Sequence, residues 1–176
     1  PATNGSVTTV TIKSRAVDDS GNLETPAAGV AVNVAGASQT TIWPSSAAPG
    51  VVDGGPDSAV EVGVKFYSDV GGAIKGIRFY KSTANTGPHT GSLWSSDGTL
   101  LATANFTNET ASGWQQVNFA TPVSILKDTI YVASYHTNSA HYSADENYFS
   151  SLGVNNPPLH APVSDPTKVW GTNGVY

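Results

Sequence analysis

The chain has 176 residues with no Cys, no Met, a formal net charge of −5 and only 12% charged residues. The missing cysteines exclude disulfides, thiolate metal sites and cysteine nucleophiles. The acidic balance, with no Lys/Arg cluster to override it, argues against nucleic acid and anionic membranes as partners, and no apolar run approaches the roughly 20 residues a membrane-spanning helix needs.

Residues 1–36 read as a β-hairpin. VTTVTIKSRAV sets Val10, Ile12, Ser14 and Ala16 on one face against Thr11, Lys13 and Arg15. Asp18 to Asn22 (DDSGN) is a turn by composition, and GVAVNV then aligns Val30, Val32 and Val34. An isolated two-stranded ribbon is marginal in water, so this one is expected to pack on the next module or on further strands. Residues 37–58 are rich in Ser, Pro, Gly and Ala and read as a linker, with Ile42 and Trp43 marking a first short strand or an anchoring aromatic.

Residues 59–176 read as one β-sandwich module. EVGVKFYSD, IKGIRFYKS, HTGSLW, TLLATANF, GWQQVNF, TIYVASYH and HYS alternate apolar and polar residues and end at turn formers. Ser95 to Gly98 (SSDG) is a tight hairpin signal. Pro122 is expected to interrupt its ladder as an edge or corner residue. The tail from Gly153, with four closely spaced prolines, is expected to hold turns more than strands. No helical stripe persists over ten or more positions. The predicted fold is all-β, an antiparallel β-sandwich of jelly-roll type preceded by a β-hairpin.

The polar and aromatic residues that such a fold does not need carry the functional reading. YHTNSAHYS brings aromatic rings and hydrogen-bonding side chains together, the combination that sugar recognition uses. Its candidates are Tyr135, His136, Asn138, His141 and Tyr142, with His89 and Trp94 nearby. The opposing reading makes these tyrosines the closure of the core's end. His89, His136 and His141, with Glu109, are candidates for a metal site that the fold would have to assemble, because no local His-x-His or His-Glu-x-x-His spacing exists. A structural calcium has candidate ligands at Asp18, Asp19 and Asn22, at Asp53 and Asp57, and at Asp145 to Asn147, although turn capping explains these residues equally well. Among Glu61, Glu109 and Glu146 nothing distinguishes a catalytic pair, and no G-x-S-x-G elbow occurs, so no enzyme is expected.

GPHTGSLW, FTNETASGWQQVNF, ATPVSIL and TIYVASYH are more specific. Together they resemble a bacterial secreted-protein family, domain of unknown function 4082, over roughly residues 40–176. The resemblance implies an all-β module of exported, multi-domain surface proteins and no established reaction. Members usually continue into a further strand where this sequence stops, and the preceding VTIKSRAVDDSGNLETPAAGVAVNV resembles the final hairpin of an immunoglobulin-like (Ig-like) or fibronectin-like domain, a kind that commonly precedes them. With Pro1 as its first residue, the chain therefore reads as a processed piece of a larger extracellular protein. Two functions are expected: a non-catalytic module that binds a polysaccharide or other glycan, or a structural, adhesive segment that assembles with neighbouring copies by strand complementation.

Overall fold

The computed structural model describes residues 7–35 and 39–174. The chain divides into two compact units between Gln39 and Thr40. The boundary expected near residue 36 and the final Val175 and Tyr176 lie outside the described residues.

In the first unit, β1 (Val7–Ile12) and β2 (Val30–Ala35) pair antiparallel, with Val10 opposite Val32 and Ile12 opposite Val30. A single bridge joins Val17 to Leu23 around the predicted turn. Asp18 organises that turn: its carboxylate accepts from the Asn22 amide at 2.8 Å and the Ser20 amide at 2.9 Å. The Asn22 bonds, backbone first, hold the carboxyl below its ordinary range. This is turn chemistry of the kind Asp favours.

The second unit is the predicted sandwich. Its strands are β3 (Val60–Ser68), β4 (Gly72–Lys81), β5 (His89–Ser95), β6 (Leu100–Asn105), β7 (Gly113–Ile125), β8 (Tyr131–Thr137), β9 (Val154–Asn156) and β10 (Leu159–Ala161), with one helical turn, α1 (Tyr148–Ser151). Six strands form one antiparallel sheet in the order β6-β5-β8-β3-β10-β9, and β4 with β7 forms a two-stranded second sheet. The period of two drives the layering. Val64, Phe66, Leu93, Tyr131 and Tyr135 point inward from the large sheet to meet Ile77, Phe79, Phe119 and Ile125 from the small one. Phe79 is central: it stacks on Tyr135 at 4.1 Å between ring centroids and meets Phe106 edge-on at 4.8 Å.

Three local outcomes depart from the sequence reading. First, β7 runs unbroken past Pro122, because the pairing jumps from Gly76–Asn118 to Ile74–Val123 and the irregularity absorbs a residue that has no amide to donate. Gly76 permits it, since a Cβ there would collide with the Val117 carbonyl oxygen and come within 2.8 Å of the Asn118 Cα. Gly76→Ala is therefore expected to lower stability by about 1–3 kcal/mol, read as a drop in the chemical denaturation midpoint. An unchanged midpoint would remove this account of the bulge.

Second, the proline-rich tail does form strands, β9 and β10. Pro157 and Pro158 occupy their turn and Pro162 follows β10, positions that need no ladder amide. Asn173 then covers the edge of β3 beyond β10: its Oδ1 accepts from the Lys65 amide at 2.7 Å and its Nδ2 donates to the Lys65 carbonyl at 3.0 Å.

Third, HYS is not a strand. Gly54 N–H donates to the Tyr142 carbonyl at 2.7 Å, and Val51 and Ala144 form only an isolated bridge. Its pairing partner is an irregular loop, and that loop binds residues from Thr40 onward into the second unit rather than leaving them as a linker. Among the described residues no helix is long and apolar enough to cross a membrane.

Candidate ligand-binding face

Because adjacent strand residues point to opposite faces, the alternation that buries Leu93 and Tyr135 turns Trp94, Ser134 and His136 outward. Register assembles these residues into rows that cross the sheet. Glu61, His136, Thr90 and Asn105 stand opposite one another, then Gly63, Ser134, Ser92 and Thr103, then Lys65, Val132 and Trp94. The middle row is small, which lets longer neighbours lean over it. The Trp94 indole reaches diagonally to donate to Ser134 Oγ at 2.8 Å, and Ser134 Oγ donates to Glu61 Oε1 at 2.5 Å. Glu61 Oε2 lies 3.4 Å from His136 Nδ1, and His136 Nε2 lies 2.9 Å from Asn138 Oδ1. Ser92 and Ser134 are buried beneath this layer, whereas Glu61 and His136 keep side-chain exposures of 37% and 39%. The result is a continuous hydrogen-bonded polar surface with one indole fixed upon it.

The seven predicted ligand residues fall in three places. Trp94, His136 and Asn138 share the outer face just described. His141 and Tyr142 sit in the loop that pairs with residues 51–54, where His141 Nδ1 approaches Asp53 Oδ1 at 3.0 Å and the Tyr142 side chain packs on the core. His89 and Tyr135 face inward and are 0% and 7% exposed, so the burial that the sandwich requires withdraws them from any surface ligand. Burial also pushes the Tyr135 phenol upward, keeping it protonated far above the ordinary tyrosine range.

The metal candidates do not converge. Each imidazole has its own carboxylate: His89 with Glu109, His136 with Glu61, His141 with Asp53. Among the described residues no three His, Asp or Glu side chains gather as a metal site. His89 and Glu109 do meet, at 2.8 Å, yet as part of an interior network: Lys81 Nζ donates to Glu109 at 2.7 Å, and His89 Nε2 lies 2.8 Å from Asn85 Oδ1, which also accepts from Thr137 and Ser139. The proposed calcium carboxylates are occupied locally as well. Asp53 accepts from Ser82 at 2.9 Å, and Asp145 accepts from the Gly50 amide at 2.5 Å.

Trp94 and Trp114 both lie on outer faces of their sheets. Trp114 is covered: Arg78 stacks over its ring at 4.5 Å, and its indole donates to the Ala47 carbonyl at 2.8 Å. Trp94 is half-buried, its indole held by Ser134. Ser134, Thr90 and Asn105 were missed as members of the face. Their signal was available in the alternation of VASYHTN, where Val132, Ser134, His136 and Asn138 share one side.

These features define an all-β antiparallel sandwich whose large sheet presents a polar, aromatic-bearing outer face. Residues 46–176 match the family model described as domain of unknown function (DUF4082), and the chain belongs to that family. No curated protein matches it.

Proposed function

We propose that this chain is a non-catalytic recognition module of an extracellular protein, binding a glycan across the outer face of the six-stranded sheet. The observation that carries the reading is the indole of Trp94, tethered by Ser134, from which a hydrogen-bonded chain of polar side chains runs through Glu61 and His136 to Asn138. An aromatic surface beside fixed donors and acceptors suits a sugar ring, which has apolar C–H faces and a hydroxyl rim. The experiment is affinity electrophoresis through gels containing cellulose ethers, xylan, galactomannan or mixed-linkage glucan. Trp94→Ala is expected to abolish the retardation that the native module shows, with a melting temperature close to the native one. Free migration of the native module through every gel counts against the reading.

One observation favours a second reading, a structural or adhesive segment that pairs with neighbouring copies. Among the described residues, β4 and β7 pair only with each other, so the second sheet keeps strand edges able to accept an added strand. Light scattering coupled to size exclusion separates the two: concentration-dependent polymers support assembly, and a monomer at all concentrations supports the binding module.

A further inference from the structure

We infer that the ligand is a neutral, linear glycan held at two aromatic subsites on one sheet face, the second formed by Tyr67, His160 and Asn155; this deepens, and rests on, the glycan reading above. The three residues stand opposite one another on β3, β10 and β9. Their row is the next one along β3 from Lys65, on the same side of the sheet as Trp94. Tyr67 and His160 stack on each other at 4.9 Å between centroids with planes 16° apart, so each covers one face of the other and the pair stands as a rigid aromatic ridge. Asp69 fixes the imidazole, accepting from His160 Nε2 at 2.7 Å. Around the pair is an open depression lined also by Gly153, Val154, Asn155 and Pro162. Asn155 is exposed, leaving an amide with both a donor and an acceptor at the rim.

Register sets the spacing between the subsites. Trp94 stands two strands from Lys65, at about 4.8 Å per strand, and Tyr67 lies about 6.8 Å further along β3, so the backbone positions of the two aromatic residues are about 12 Å apart. One pyranose ring cannot span that distance, whereas a short chain can. Lys65, in the same row as Trp94, donates from Nζ to the carbonyls of Trp170 at 2.7 Å and Thr172 at 2.8 Å. An ammonium has three donors, and the third suits a ligand hydroxyl. The charge on this face selects the class. Among the described residues of these rows, Glu61 and Asp69 outweigh the Lys65 ammonium, a balance that suits a neutral chain better than a uronate or a sulfate.

The test is titration calorimetry of the whole chain with disaccharides and hexasaccharides of the cello-, xylo- and manno- series. In the series that binds, the hexasaccharide is expected to bind about tenfold more tightly than the disaccharide. Tyr67→Ala is expected to reduce the hexasaccharide to disaccharide affinity and leave the disaccharide unchanged. Asn155→Ala, at an exposed position, is expected to move in the same direction without a folding defect. Trp94→Ala is expected to lose both ligands. Equal affinity for both lengths, with Trp94 still essential, overturns the second subsite and leaves the glycan reading standing. No heat with any series overturns both.

Discussion

Phe79→Ala is expected to cost about 3–5 kcal/mol of folding stability, the range for truncating a buried aromatic ring. Phe79 is 3% exposed and is the residue through which the two sheets communicate: Tyr135 stacks on it, Phe106 meets it edge-on, and the His89 ring lies 4.9 Å away. Removing it strips ring contacts from three neighbours at once and leaves a cavity that strands locked in two ladders cannot collapse to fill. Urea denaturation followed by tryptophan fluorescence measures the loss. A change below about 1 kcal/mol would mean that the inter-sheet aromatic cluster is not the principal source of cohesion.

Glu109→Ala is the second large effect, expected at about 3 kcal/mol, the lower end of the cost of breaking a buried ion pair. Glu109 is the carboxylate toward which both Lys81 and His89 turn, and truncating it leaves an ammonium without a counter-charge and the buried His89 Nδ1 without its hydrogen-bond partner. The lower end applies because Lys81 and Glu109 side chains retain 10% and 12% exposure, which gives water limited access. Replacing Lys81 and Glu109 together by Met and Leu is expected to recover most of the loss, because the penalty comes from the stranded charge rather than from a missing attraction. A double variant as unstable as the single one would instead assign the cost to lost packing.

Strand existence was legible because each strand alternates cleanly and stops at turn formers, as KFYSD and SSDG do. Side-chain direction was less so. Within LW the two residues must face opposite ways, and Leu93 takes the core, so Trp94 is outside; composition alone favours the larger ring as the buried one. Tyr135 is a ligand candidate by its place in YHTNSAHYS, yet it shares parity with Tyr131 and Ala133 and so enters the core. The face itself exists only through register. Glu61 and His136 are far apart in sequence and adjacent because β3 and β8 pair in that frame. Likewise β9 and β10 were hidden by prolines that sit outside the ladder positions.

The most direct test is a nitrogen–proton NMR titration of the labelled chain with the polysaccharide that retards it. The sequence has four tryptophans, so four indole signals report separate places. The proposal requires the Trp94 indole and the amides of Ser134, His136 and Asn138 to shift together, while Trp114 stays still. Shifts confined to the loop of His141 and Tyr142, or no shifts at saturating polysaccharide, would contradict it.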